Sequence, residues 1–504
     1  MQLAEISTLV TRAATRFGDR VALTLPESKS FTFNEIDDLA GRFAGGLKRL
    51  GIDRGDRVTL HLPNGWEWIV AYHAIARLGA VVVPANILLS GEEVAHAVTN
   101  SGSSALIVLA EKRDGIATAP NVQIVTLGAA TGSVDFPELL SGRYEEPVPV
   151  SPDDLFTIGY TSGTTGSPKG AMLSHGNIHA SMVATATLHV RHGGDVALSA
   201  LPFSHVYGNI VMNTVFLCGM RLVARARFDA GEILRLIAQE RITLFEGVPT
   251  MYYQMLAHPH ISTADLSSLV RCTVGGQTMP TPKIDAVEGR FGCPLLELWG
   301  MTEVAGPAVT HSPYWSPRRG SIGLPVPGVE VRITDLDNAS HNLPAGEAGE
   351  LMVRGPLVTR GYWNNPQASA EAIDSDGWLA TGDIARADAD GFLFIVDRKK
   401  DLIITAGYNV YPAELEQIIA MHPAVAMVAV TSVADDEKGE IAWAVVVRHV
   451  DADVSEAELL TYCRQRLASY KVPRLITFAD DLPKTNTGKI LRRALRQEVP
   501  QKTQ

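Results

Sequence analysis

Tyr160-Thr-Ser-Gly-Thr-Thr-Gly-Ser-Pro-Lys-Gly170 stands directly behind the apolar run Leu155-Phe-Thr-Ile-Gly159, which reads as a buried strand. Gly163, Gly166 and Gly170 let the backbone turn tightly and approach a ligand closely. Successive backbone N–H groups in such a loop form an anion-binding concavity, hydroxyls add donors, and Lys169 adds a point charge. That is chemistry for gripping a polyphosphate. A Walker-type loop needs Gly-Lys-Ser/Thr in sequence. Here Pro168 precedes the lysine and Gly170 follows it, so a different phosphate-loop fold is required. A flexible linker is the bland alternative, but linkers seldom place so many hydroxyls, glycines and a lysine behind a buried strand.

Working outward, Trp299-Gly-Met-Thr-Glu303 follows the apolar stretch Pro294-Leu-Leu-Glu-Leu298. An aromatic ring there can stack on a base. The hydroxyl and carboxylate behind it can serve a phosphate oxygen and a magnesium ion, which prefers hard oxygen ligands. Thr381-Gly-Asp383 offers a carboxylate on a tight turn, suited to a ribose diol. Asp397-Arg-Lys-Lys-Asp401 is a charge cluster, a pattern that usually marks a solvated face. It runs into a strand, a turn and a helix start ending at Glu416. Pro483-Lys-Thr-Asn-Thr-Gly-Lys489 is a polar loop presenting a lysine.

In this order and at these distances the motifs resemble the adenylate-forming superfamily: acyl-CoA synthetases, firefly luciferases and peptide-synthetase adenylation domains. The resemblance runs from about residue 20 to about residue 495 and is strongest to bacterial fatty-acyl-CoA and 4-coumarate-type CoA ligases. It implies an ATP-dependent carboxylate–CoA ligase with ATP, Mg²⁺ and coenzyme A as its small molecules.

Residue by residue, the resemblance places Thr161, Ser162, Gly163, Thr164, Thr165, Gly166 and Lys169 over the phosphates. Gly275, Gly276 and Gln277 form one wall of the adenine slot. Trp299 stacks near the adenine, Glu297 offers a polar partner to its amino group, and Leu298, Gly300 and Met301 belong to the same nucleotide site. Thr302 touches the α-phosphate, Glu303 and Thr165 hold the metal, and Asp383 and Arg398 hold the ribose. Lys400 is the hinge, and Lys489 bridges carboxylate and α-phosphate during adenylation. Gly407, Tyr408 and Lys438 meet CoA. Lys438 departs from the aromatic residue that many relatives carry there, which puts the CoA nucleotide contacts in doubt. His205 borders the carboxylate, and Tyr207, Val211, Val304 and Ala305, with Gly275 and Gly300, line the acyl tunnel. These linings are mostly small or apolar, and no arginine near Glu303 offers itself to a second carboxylate. An apolar monocarboxylic acid is therefore expected, foremost a medium- or long-chain fatty acid, with an aryl or hydroxycinnamic acid, or transfer to a carrier protein, as alternatives. A scaffold that has lost catalysis is disfavoured because Lys169, Glu303, Asp383, Arg398 and Lys489 are all present.

Length and composition agree. A chain of 504 residues, 46% hydrophobic, can bury a large core in two to four units. The formal net charge of −11 argues against nucleic acid as a partner. Four scattered cysteines, Cys218, Cys272, Cys293 and Cys463, suit a reducing cytoplasm. Leu3, Ile6, Val10, Ala13 and Phe17 recur at helical spacing, so the N-terminus reads as an amphipathic helix rather than a signal peptide. The stretch from Trp68 to Leu89 carries His73 and Arg77 and breaks at Gly79 and Pro84, which predicts a helix and a buried strand, not a transmembrane segment. A homodimer is compatible with this reading.

The expected fold is α/β. Alternating helical patterns and β-branched runs to about residue 275 predict βαβ units with parallel sheets. From Gly320, short strands with Gly/Pro turns predict a smaller antiparallel, barrel-like subdomain. The resulting division is an N-terminal domain over 1–398, a hinge at 399–401 and a small, mobile α+β domain over 402–504.

Overall fold

A computed structural model describes residues 5–25, 29–161, 168–406, 408–435, 437–449, 452–484 and 490–495. Two large, mainly parallel sheets of seven and nine strands form the body. The middle strands Arg57–His61, Val81–Pro84 and Ala105–Leu109 are covered almost throughout. Burial on both faces is why they read as continuous apolar runs rather than alternating ones. The N-terminal helix Leu9–Phe17 buries Leu9, Val10 and Ala13 against the body, as its periodicity predicts. Helix Trp66–Arg77 and strand Val81–Pro84 account for the long apolar stretch. Among the described residues no helix is long and apolar enough to cross a membrane.

Strand Leu155–Thr161 lies in the seven-stranded sheet, and strand Leu295–Met301 in the nine-stranded one. The two sheets meet where their functional ends converge. A Cβ added to Gly159 would lie 2.7 Å from Thr302 Cγ2, so only glycine allows this approach.

Strands Glu330–Thr334, Gly349–Arg354, Leu379–Ala387 and Leu393–Arg398 form an antiparallel meander. Its Leu351, Val353 and Leu393 share a core with Trp299 and Val304 of the body. The sequence reads Thr381-Gly-Asp383 as a tight turn, whereas it lies inside strand Leu379–Ala387. Met352 pairs with Ala380 and Glu350 with Ile384, so residues 381–383 bulge out opposite Leu351. Gly382 supplies the bulge with a φ of +71°. The Thr381 hydroxyl donates to Leu351 O at 2.7 Å, and the Glu350 carboxylate takes the Gly382 N–H at 3.2 Å. The bulge re-aims Asp383, which a regular strand would not.

Beyond residue 401 a five-stranded sheet carries helices Pro412–Ala420 and Glu456–Arg464 on its own core of Leu415, Ile419, Val430, Val446 and Leu459. This module is α+β, as expected.

Candidate active site

The two sheets, the meander and the module enclose a cleft of about 1570 Å³. Glu303 stands on its wall, in the short 3-10 turn Thr302–Val304 that follows strand Leu295–Met301. Ala305 closes that turn at φ +55°, a left-handed conformation uncommon for a residue with a Cβ. The turn is pinned by Thr359 N–H donating to Glu303 O at 2.7 Å. The Glu303 carboxylate accepts the Tyr362 hydroxyl at 2.9 Å and the Thr161 hydroxyl at 3.4 Å. Burial pushes its pKa up, and these hydrogen bonds and the charge of Arg398 pull the other way. A buried carboxylate among hydroxyls is a hard-oxygen donor set, and it fits a magnesium ion. Lys169 opens strand Lys169–Ser174 with its ammonium 5.4 Å from the centre of the Tyr362 ring. One tyrosine thus supports both the candidate metal ligand and the candidate phosphate-binding lysine.

Asp383 is held from two sides. Its Oδ2 accepts the Trp299 indole N–H at 2.7 Å, and Arg398 Nε lies 3.2 Å from Oδ1. Asp383 and Arg398 face each other across antiparallel strands, which fixes this pair. Trp299 is buried on the cleft wall, and its indole is committed to the aspartate. Glu297, on the same strand, faces the cleft, and burial pushes its carboxyl up to about 8. Leu298, Gly300, Met301, Gly276 and Gln277 also line the cleft. Gly275 ends strand Arg271–Gly275 beneath Leu298, whose Cδ1 lies 2.2 Å from where a Cβ would sit. Gln277 Nε2 donates to Ile490 O at 3.4 Å, bringing the residue that follows Lys489 in sequence to this wall.

On the other side His205 caps helix Val206–Cys218, its Nδ1 accepting the Tyr207 N–H at 3.3 Å. His205 lines the cleft with Leu173, Ile178, Val206, Val274 and Met279. Tyr207, Val211, Val304 and Ala305, expected from sequence to line the acyl tunnel, are buried and are not among the residues that border this cleft. The Tyr207 hydroxyl is 2.5 Å from Thr273 Oγ1 and donates to Glu246 at 3.3 Å. Glu246 is ion-paired with Arg191 at 2.5 Å, both fully buried. A buried phenol needs a partner, and this network supplies one in the core rather than in the cleft.

Lys400 lines the cleft. Tyr408 and Lys438 do not; Tyr408 is more than half exposed and stacks on Tyr470 at 4.7 Å, and Lys438 O takes the Ala406 N–H at 2.8 Å. Ser162, Gly163, Thr164, Thr165, Gly166, Gly407 and Lys489 lie outside the described residues. Sequence reasoning missed Tyr362. Its neighbours in Gly361-Tyr-Trp363 carry no spacing signal, and only the fold brings it under Glu303.

Comparisons with known proteins match this architecture. The AMP-binding enzyme family matches residues 10–363, and the AMP-binding enzyme C-terminal domain matches residues 414–489. A long-chain-fatty-acid–CoA ligase of Bacillus subtilis is 35% identical, the alignment covering 98% of this chain and 94% of that protein. A feruloyl-CoA synthase of an Amycolatopsis species is 38% identical over 93% of this chain and 94% of its own. The ATP-bound structure of MatB from Rhodopseudomonas palustris superposes with a TM-score of 0.90 at 31% identity, covering 98% of each chain. An anthranilate CoA ligase in complex with anthranoyl-AMP gives 0.91 at 27% identity, covering 99% of this chain and 98% of its own.

Proposed function

The chain belongs to the AMP-binding enzyme family as an acyl-CoA synthetase, and from that premise we propose how its residues divide the two steps of the reaction. In the first step an acid's carboxylate oxygen attacks the α-phosphorus of ATP. A new O–P bond forms, the α–β anhydride breaks, and pyrophosphate leaves. In the second the CoA sulfur attacks the acyl carbon, the thiol loses its proton, and the C–O bond to AMP breaks. Both steps bring negative groups together, so the residues must position and neutralise.

Thr161 and Lys169 take the phosphates, Glu297 and Gln277 border the adenine, and Asp383 with Arg398 takes the ribose hydroxyls. Glu303, with Thr165, holds Mg²⁺, which when bound screens phosphate charge against the incoming carboxylate. Lys489 supplies the cation between carboxylate and α-phosphate. Residues 1–398 are the body, 399–401 the hinge and 402–504 the module that turns between the steps, exchanging Lys489 for Gly407. The observation that carries this reading is the Gln277–Ile490 hydrogen bond, which ties the adenine wall to the segment bearing Lys489. Acid-dependent exchange of labelled pyrophosphate into ATP tests it. The exchange is expected with wild type and lost in Lys489→Ala.

The acid is apolar and monocarboxylic, foremost a medium- or long-chain fatty acid, supported by the Leu173, Ile178, Val206, Val274 and Met279 wall. A second reading, an aryl or hydroxycinnamic acid, is favoured by one observation. A feruloyl-CoA synthase is 38% identical over 93% of this chain, so a hydroxycinnamic acid suits the family as a fatty acid does. Thioester formation from octanoate, palmitate, coumarate, ferulate and malonate separates the two. Malonate is the slowest, and faster turnover of malonate than of octanoate and coumarate overturns both. Coenzyme A is the acceptor, and a purified acyl carrier protein in its place is expected to accept no acyl group.

A further inference from the structure

Asp397 is buried near the end of strand Leu393–Arg398, on the body side of Lys400. Its Oδ1 accepts the Arg398 N–H at 2.7 Å, and its Oδ2 accepts the Ala413 N–H at 2.8 Å. Ala413 lies in the first turn of helix Pro412–Ala420, on the module side of Lys400. That helix has no side-chain cap of its own at Tyr411. A carboxylate from the body therefore takes an orphan N–H of the first helix of the module, a capping interaction made across the hinge.

Farther along the same helix, Glu416 grips the guanidinium of Arg492 with both oxygens, Nε at 3.0 Å and Nη2 at 2.6 Å. Glu416 Oε1 also accepts the Val430 N–H at 2.8 Å, so it is rigidly seated. Arg492 Nη1 lies 3.6 Å from Asp401, beside the hinge. In sequence Arg492 follows Lys489 by one short segment whose Ile490 is the partner of Gln277.

We infer that Asp397 and Arg492 are positioning residues for the first half-reaction. Asp397 latches the helix of the module to the body, and Arg492 transmits that seating to the segment bearing Lys489. Docking of the module and presentation of the lysine then become one event. The inference rests on the assignment of Lys489 to adenylation. Asp397 and Ala413 lie on opposite sides of Lys400, so rotation there parts them. Glu416 and Arg492 lie on the same side and travel together. The latch thus favours the first step and opposes departure to the second.

The test compares Asp397→Ala, Asp397→Asn, Arg492→Gln and Arg492→Lys with Lys489→Ala. Each is assayed for acid-dependent pyrophosphate exchange, for conversion of synthetic acyl-adenylate plus CoA to thioester, and for Tm. Asp397→Ala is expected to slow exchange about 10-fold, the scale of losing one cap, while thioester formation is unchanged or faster. Asp397→Asn, which keeps an acceptor oxygen, falls between Asp397→Ala and wild type. Arg492→Gln lowers the kcat of exchange with little change in the KM for ATP, and Arg492→Lys recovers only part of it because an ammonium cannot span both oxygens of Glu416. A merely structural role would slow both half-reactions together. If Lys489→Ala separates the half-reactions and the folded Asp397 variants slow both alike or neither, the latch is wrong and the assignment of Lys489 stands. If Lys489→Ala slows both alike, that assignment fails, and the latch fails with it. Should Arg492→Gln not fold, the two Asp397 variants decide the matter.

Discussion

The two walls of the cleft are built in opposite ways. On the body, Glu303 is held by Tyr362 and Thr161 and by a strained turn, and Asp383 by Trp299, Arg398 and a strand bulge. Those carboxylates are fixed before any ligand arrives, which is what electrostatic preorganisation requires. The module meets that wall through a handful of polar contacts, Gln277 with Ile490 and Asp397 with Ala413 among them. One wall is cross-braced by its own side chains, and the other meets it, among the described residues, through contacts such as these. The proposed exchange of the module between the two steps would use both kinds.

The largest effect expected from this contrast is on the module. Lys489→Ala should lose roughly 10²–10³-fold or more in acid-dependent pyrophosphate formation, since it removes a full charge aimed at the transition state. The same variant should still convert synthetic acyl-adenylate to thioester. Gly407→Leu should do the reverse and stall after the adenylate. Equal loss of both half-reactions in both folded variants breaks the contrast.

Next comes the fixed wall. Glu303→Gln should slow the first step by about 10²-fold, because an amide is a poorer ligand for a hard cation, with partial recovery as Mg²⁺ is raised. A rate near wild type across a Mg²⁺ series would take Glu303 out of the metal site.

A smaller effect sharpens the idea of a preorganised wall. Trp299→Phe keeps the ring and removes the N–H bound to Asp383. A hydrogen bond to a charged group has a net worth of about 1.5–3 kcal/mol. If its loss leaves the aspartate free to wander, the KM for ATP should rise about 10-fold with kcat little changed. An unchanged KM would mean that Arg398 and the bulge suffice.

The last effect is read in stability against pH rather than in rate. Glu297 has its carboxyl raised by burial from an ordinary 4.5 to about 8. Between those values the folded chain binds more proton than the unfolded one, so this group makes stability fall as pH rises from 4.5 towards 8. Glu297→Gln should therefore raise Tm relative to wild type at pH 8.5 and give little difference at pH 4.5. Parallel Tm curves for the two proteins would show that Glu297 is not desolvated in solution.

Much of this was legible in the chain, and the misreadings have a pattern. Leu155–Gly159 reads as a strand because both faces are buried, and the N-terminus reads as a helix because Val10, Ala13 and Phe17 recur at helical spacing. Thr381-Gly-Asp383 reads as a turn because Gly between polar residues usually is one, yet the Glu350 side chain stabilises it as a bulge in mid-strand. Asp397-Arg-Lys-Lys-Asp401 reads as a solvated charge cluster, while Asp397 is 3% exposed. Tyr207 reads as tunnel lining, while its hydroxyl is tied to Thr273 and Glu246. In each case the misreading turns on a partner far along the chain.

The sequence by itself determined the α/β alternation, the order of the motifs and the chemistry each one can offer, because these depend on side-chain type and on neighbours a few residues away. Only the tertiary structure decided which groups meet. Tyr362 reaches Glu303 across 59 residues, Trp299 reaches Asp383 across 84, and Gln277 reaches Ile490 across 213. No local spacing encodes such pairs. They arise when sheets, meander and module pack together, and burial then obliges each polar group to find the partner that the fold has brought within reach.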